Sequence, residues 1–326
     1  MKKSDLWKYN HCDKKKITGL ITGTAIIVAA SELLLSLYFV KRTLVRSKAR
    51  VEDTMKMAGT DWSVYVSGIR EDREWLWQHE HESVTILSRD GLKLSGTMFP
   101  VENSRGTVLC LHGYTSNAEQ DYTSLARYYM ENNFQILLVD HRAHGQSEGT
   151  YIGFGILDRY DALKWIEYLN HRFGIEKKIL VQGTSMGAAT ALMLSGLKLP
   201  KNVAGIVSDC AFTSPWDVFK SVLKNWYHLP AFPLLHITNW MAKRLAGYDY
   251  RSCTAKEEVK KSSVPILLIH GEKDTFVPTS MCEEIYRNCP DAEMQIIAGA
   301  SHAESFYKDT ALYKKRLQEF FVKCEI

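Results

Sequence analysis

The sequence predicts an α/β protein: a mostly parallel eight-stranded sheet with helices on both faces, a helical insertion near its end, and an N-terminal transmembrane helix. Three observations lead there. From residue 83 onward, short apolar runs alternate with segments of helical period, the pattern of a sheet built from crossover units. The inner runs are continuously apolar, as strands covered on both faces must be. Ahead of them, residues 17–40 form an apolar stretch with one charge, Glu32.

The first element is that stretch. Residues 1–16 are a basic tail. Residues 17–40 are long enough as a helix, about 36 Å, to cross a hydrocarbon core of about 30 Å. Lys14, Lys15 and Lys16 precede the run, and Lys41, Arg42, Arg46, Lys48 and Arg50 follow it. A membrane anchor is the expected reading. A cleaved signal peptide would want a better site than Val28-Ala29-Ala30. Residues 41–82 read as a helical juxtamembrane segment that packs on the body. Within it, His79-Glu80-His81-Glu82 alternates in spacing with no third ligand cluster nearby, so a solvated loop is expected rather than a metal site.

Charge and cysteine content narrow the function. Residues 1–50 hold 11 Lys/Arg against three acids, a balance of +8. The formal net charge is only +4, so the remaining chain stands at −4. No nucleic-acid partner is expected, because such a partner wants a basic domain face. Apolar residues at 45% and charged residues at 24% exclude disorder for the whole chain. The seven cysteines show no CxxC and no Cys/His cluster, so no metal site is expected.

The domain proper spans 83–326. Strands are expected at 83–88 and 92–99, joined at Asp90-Gly91 as a hairpin, then at 107–111, 134–139, 178–181, 203–207, 265–269 and 293–297. Helices are expected at about 119–132, 157–172, 186–197, 279–288 and 307–323. In such a sheet the ligand site lies beyond the carboxyl ends of the strands.

The chemistry-bearing residues stand at those ends. Gly183-Thr184-Ser185-Met186-Gly187 is a G-x-S-x-G match between a strand and a helix. A sharp turn there lifts the Ser185 hydroxyl clear of the sheet, and the helix start behind it offers free N–H groups. A serine hydroxyl needs a base, and His302 follows the last strand. Asp274, after the strand 265–269, would orient His302 and stabilise its charged form. Asp209 and Glu272 compete for that acid role. The oxyanion donors are expected to be the amides of Met186 and of Tyr114, in the loop His112-Gly113-Tyr114. His112 reads as a loop-shaping residue.

With those motifs in place, the chain resembles the α/β-hydrolase superfamily over roughly residues 83–323. It is similar to the serine-aminopeptidase-like and bacterial carboxylesterase-like branch. The likeness includes Asp140-His-Arg-Ala-His-Gly-Gln-Ser147 and His270-Gly-Glu-Lys-Asp-Thr-Phe-Val-Pro278. It implies Ser185, Asp274 and His302 as a triad, with Tyr114 and Met186 as oxyanion donors. Ala143 departs from it, standing where a glycine is usual.

More than fifty residues separate the strand near Val207 from the one at Pro265. The part at 214–260 reads as a helical cap over the site. Trp226 and Trp240 are its candidate substrate-binding residues. The expected function is a membrane-anchored serine hydrolase. It would cleave a small-molecule carboxylic ester through an acyl-Ser185 intermediate, with no cofactor and no metal. Aminopeptidase, thioesterase or acyltransferase chemistry on the same residues is the alternative, and a non-catalytic membrane-bound scaffold is the alternative from another class.

Overall fold

The sheet contains β1 (Glu82–Leu87), β2 (Lys93–Phe99), β3 (Gly106–Leu111), β4 (Phe134–Val139), β5 (Ile179–Thr184), β6 (Val203–Asp209), β7 (Ile266–Gly271) and β8 (Ala292–Ile297). This is seen in a computed structural model that describes residues 22, 24, 26, 27, 29–46 and 60–326. The spatial order is β1-β2-β4-β3-β5-β6-β7-β8. The β1/β2 and β2/β4 pairs are antiparallel, and every other neighbour pair is parallel. All eight strands lie within a few residues of where the pattern puts them. The hairpin turns at Gly91, whose φ of +85° suits a residue without Cβ.

Burial explains the apolar runs. Every residue of β3, β4 and β7 is buried. Successive residues face opposite sides of the sheet. Leu109, Leu111, Val139 and Val181 belong to one core, with Trp165 and Ile166 of the helix Asp158–Phe173. Val108, Cys110, Ile136 and Leu138 belong to the other, with Tyr122 of the helix Ala118–Glu131 and Leu317, Phe320 and Phe321 of the helix Thr310–Lys323. Truncating one of these central side chains to alanine would cost about 2–5 kcal/mol. β8 is an edge strand and is mostly half-buried, which suits its polar Glu293 and Gln295.

This topology fixes where a ligand goes. From β3 the chain crosses to β4 on one side, and from β4 it returns over β3 to β5 on the other. The strand ends part at that reversal and leave a crevice beyond their carboxyl ends. The loops after β3, β5, β7 and β8 all converge there.

Between β6 and β7 stand the helices Pro215–Asn225 and Leu234–Leu245. The first starts at Ser214, whose Oγ accepts from the Asp217 amide at 3.0 Å, with Pro215 in the first turn.

The N-terminal expectation requires correction. Helical backbone runs over 29–43, but Ser36, Phe39, Val40 and Leu44 are buried against the body. Among the described residues no helix is long and apolar enough to cross a membrane. A spanning helix over 17–40 is therefore not supported: one face of its last turns, carrying Ser36, Phe39 and Val40, is packed in protein, while Leu34, Leu37 and Tyr38 on the other face stay exposed. Residues 17–21, 23, 25 and 28 of that span, and the tail 1–16, lie outside the described residues. The chain after this helix is stitched to the body: the Ile152 amide donates to the Leu44 carbonyl and the Arg46 amide to the Thr150 carbonyl, both at 2.8 Å. Further on, the helix Val66–Trp77 lies on Ala118–Glu131, with Arg127 bonded to Asp72 at 3.0 Å. His79 and His81 each turn a ring nitrogen to a backbone carbonyl at 2.9 Å.

Ala143 carries a φ of +60°, so it occupies the left-handed region that a glycine would adopt without strain. The turn is held all the same. Asp140 accepts from the Gln146 amide at 2.8 Å, and the Ser147 hydroxyl donates to the Asp140 carbonyl at 2.7 Å.

Candidate active site

Ser185 joins β5 to the helix Met186–Leu194 with φ +53° and ψ −111°. That conformation is strained for an L-residue, by on the order of 1–3 kcal/mol. Two glycines make it possible. A Cβ on Gly187 would lie 1.8 Å from the Leu111 carbonyl oxygen, and one on Gly183 would lie 2.4 Å from the Gly187 oxygen. The turn is pinned by the Ser185 amide donating to the Asp209 carbonyl at 2.8 Å.

Opposite stands His302, with Nε2 2.9 Å from Ser185 Oγ and Nδ1 2.7 Å from Asp274 Oδ2. The carboxylate can only accept, so Nδ1 carries the hydrogen and Nε2 keeps a lone pair toward the serine hydroxyl. All three side chains are buried. Asp274 Oδ1 accepts from the amides of Phe276 at 3.0 Å and Val277 at 2.8 Å. Its Oδ2 also meets His270 Nε2 at 3.2 Å. Burial alone would raise the Asp274 pKa. The His302 and His270 rings outweigh burial and hold the carboxyl well below its ordinary range.

The loop carrying His302 is braced from several sides. The Lys273 amide donates to the Ala300 carbonyl at 2.8 Å, and the Ser301 amide to Glu304 Oε2 at 2.7 Å. From the N-terminal region, the Thr60 hydroxyl donates to the His302 carbonyl at 3.2 Å, and the Tyr65 hydroxyl to Glu304 Oε1 at 2.7 Å.

The competing acids are elsewhere engaged. Asp209 Oδ1 accepts from the Ser305 hydroxyl at 3.0 Å, and burial pushes its pKa up to about 6 against that bond. Glu272 accepts from the Gly299 amide at 2.9 Å, so it supports the His302 loop from outside.

The loop after β3 faces Ser185. A Cβ on Gly113 would sit 3.4 Å from the Ser185 Cβ. Asp121 Oδ2 accepts from the Gly113 amide at 2.6 Å. His112 Nδ1 donates to the Gly113 carbonyl at 2.7 Å, and its Nε2 accepts from the His141 amide at 3.0 Å. His144 works the same way: Nδ1 donates to the Arg142 carbonyl at 3.0 Å and Nε2 accepts from the Thr115 amide at 3.2 Å. Each ring thus gives one hydrogen and takes one, which requires the neutral form. Burial and the neighbouring histidines lower the pKa of both, His144 to about 4. They shape the loop and leave the Tyr114 amide free. Among the described residues neither the Tyr114 nor the Met186 amide donates to a protein acceptor. A positive helix end, two free donors and a serine–imidazole–carboxylate chain together suit attack on an acyl carbonyl.

Sequence reasoning missed what surrounds Tyr114. Its hydroxyl donates to the Arg42 carbonyl at 3.0 Å, and Phe39 packs edge-on against Tyr227 of the insertion at 4.9 Å. The end of the N-terminal helix therefore braces the Tyr114 side chain and the insertion. Tyr114 also stacks on Phe154 at 5.2 Å. No local pattern marks the first two contacts, since they join positions about 70 to 190 apart in sequence. The two tryptophans part company. Trp226 lies 6.2 Å from Phe276, whose ring is 5.0 Å from His302. Trp240 is 57% exposed, with Arg244 over its ring at 5.9 Å.

Cys210, Asp274 and His302 offer ligand atoms within 4.8 Å of one another. Asp274 and His302 already bind each other there, and burial and the two aspartates raise the Cys210 pKa well above its ordinary value. A protonated thiol is a poor ligand, so the set does not fit a metal well.

A sequence family described as "alpha/beta hydrolase fold" matches residues 106–231. The chain is 29% identical over 245 residues to the uncharacterized protein YqkD of Bacillus subtilis, covering 74% of this chain and 80% of YqkD. It is 26% identical over 232 residues to the uncharacterized membrane protein YNL320W of Saccharomyces cerevisiae, covering 70% and 76%. Among solved structures, an esterase of Pyrococcus furiosus superposes with a TM-score of 0.62 at 26% identity, covering 76% of this chain and 92% of that one.

Proposed function

From the premise that this chain belongs to the α/β-hydrolase superfamily, we propose that it is a serine hydrolase that cleaves carboxylic esters through an acyl-Ser185 intermediate. The observation that carries the reading is the buried hydrogen-bonded chain from Ser185 through His302 to Asp274. The esterase of Pyrococcus furiosus supports the choice of ester over other acyl substrates.

Ser185 Oγ attacks the ester carbonyl while its proton passes to His302 Nε2. Asp274 stabilises the imidazolium so formed without taking a proton. The developing oxyanion is received by the Tyr114 and Met186 amides. Collapse expels the alcohol, which takes the proton back from His302. Water then repeats the sequence on the acyl-serine, releasing the acid and restoring Ser185. The cap, with Trp226 on the His302 side, would supply the walls that choose the acyl group.

The test is a fluorophosphonate probe together with a panel of esters, thioesters and aminoacyl amides, each run with Ser185→Ala. Probe labelling lost in Ser185→Ala and turnover strongest on esters support the reading. Turnover confined to amides or thioesters would replace the substrate class. Labelling that persists in Ser185→Ala, or a folded protein with neither labelling nor turnover, refutes the reading.

We also propose that the N-terminal helix attaches the protein to a membrane through the apolar run ahead of Ser36. Ile26, Ile27 and Leu34 are about two-thirds exposed, and YNL320W is named a membrane protein. Full-length chain should stay with the membrane fraction in high salt, which screens charge pairing and leaves apolar burial intact. Release by salt alone refutes this attachment.

A further inference from the structure

His270 is the fifth residue of β7 and is fully buried. Its Nε2 stands 2.8 Å from the Val277 carbonyl oxygen and 3.2 Å from Asp274 Oδ2. Both are acceptors, so Nε2 carries the hydrogen. Asp274 Oδ2 therefore faces two imidazole N–H groups, one from His302 and one from His270, while Oδ1 takes two backbone amides. A ring used only to fill the core would not need to point its N–H at the one carboxylate that contacts His302.

We propose that His270 is a positioning residue for the Asp274–His302 pair, its N–H holding the carboxylate in place and limiting how strongly Asp274 attracts the His302 proton. The inference rests on the acyl-transfer reading above. The groups that face the His270 ring are few. Asp274 comes from the following loop, His302 acts through the shared carboxylate, Asp209 from β6, and Cys282 from the helix Thr279–Asn288. Burial opposes charge on the ring, yet Asp274 and then Cys282 raise its pKa to about 10. The Nε2–H of His270 thus competes with His302 for Asp274 Oδ2. Without it, the carboxylate would draw the His302 hydrogen harder and make His302 easier to protonate.

Two variants separate positioning from packing. His270→Leu removes the N–H while keeping an apolar side chain, and His270→Gln returns an N–H near the Nε2 position. In His270→Leu, kcat should fall about 10-fold, the loss expected when one donor to a charged group goes. The acid limb of the kcat/KM profile should move to higher pH. In His270→Gln most of kcat should return. The low-field proton resonance of His302 Nδ1–H, read without substrate, should move in His270→Leu. A resonance and acid limb that stay put in folded His270→Leu, or a kcat in His270→Gln as low as in His270→Leu, overturns the proposal. Because the resonance needs no substrate, it still decides the matter if the ester reading fails, which the Ser185→Ala panel reports separately.

Discussion

Replacing Asp274 by asparagine changes one carboxylate oxygen into NH2 and almost nothing in volume. The amides of Phe276 and Val277 still need an acceptor at Oδ1, so the new nitrogen takes the Oδ2 place. There it faces His302 Nδ1 at 2.7 Å and His270 Nε2 at 3.2 Å, both of which now present hydrogens to a donor. His302 escapes by moving its hydrogen to Nε2. That nitrogen then offers Ser185 Oγ an N–H across 2.9 Å instead of a lone pair, and the serine loses its base. The expected fall in kcat is about 10⁴, equivalent to about 5.4 kcal/mol of transition-state stabilisation. The assay is kcat on a short p-nitrophenyl ester with the full chain, and a thermal melt confirms folding. Asp209→Asn is the control, since its carboxylate bonds Ser305 and not His302. A fall below about 10-fold in folded Asp274→Asn, or a larger fall in Asp209→Asn, would refute the reasoning.

Four further outcomes follow from the same geometry. Gly187→Ala should destroy activity and destabilise the fold, because its Cβ would lie 1.8 Å from the Leu111 oxygen; a folded, active variant by melt and assay would contradict the turn. A chain beginning at residue 47 should lose activity relative to full length, since it discards the Arg42 carbonyl that holds Tyr114 and the Arg46 contacts to the loop after β4; equal kcat/KM would show that this brace is idle. The Asp209 pKa is raised from about 4 to about 6, so the folded state binds its proton more tightly than the unfolded state. That contribution is fully present below about pH 4 and lost as pH rises through about 6, at most about 3 kcal/mol, so Asp209→Asn should flatten the melting temperature across that window. Trp226→Ala should cost about 1–3 kcal/mol on long acyl esters and little on acetate, whereas Trp240→Ala should leave the chain-length profile unchanged.

The sheet was legible because its signals are local. Continuous apolar runs marked β3, β4 and β7, and Asp90-Gly91 marked the hairpin. The meeting of the three candidate side chains was legible for a related reason. Ser185, Asp274 and His302 each follow a recognisable strand, and topology carries strand ends to one edge. What stayed hidden depends on contacts between distant segments. Nothing near residue 42 announces that its carbonyl will receive the Tyr114 hydroxyl. The apolar run at 17–40 reads as uniform, and only packing reveals that Ser36, Phe39 and Val40 face protein. Trp226 and Trp240 are equivalent as letters, and only packing shows that Trp226 lies beside Phe276 while Trp240 on the helix Leu234–Leu245 is exposed. His270 sits in a recognisable motif, but its partner is set by the loop that folds Asp274 back toward it.

The proposed mechanism turns on acylation of Ser185. The most direct test is rapid quenching of the full-length protein with a p-nitrophenyl ester in the first turnover, followed by mass measurement of the peptide bearing Ser185. An added acyl mass on Ser185 should form and decay at rates consistent with turnover, and should be missing in Ser185→Ala. Steady turnover with no acyl mass on Ser185, or undiminished turnover in Ser185→Ala, would contradict it.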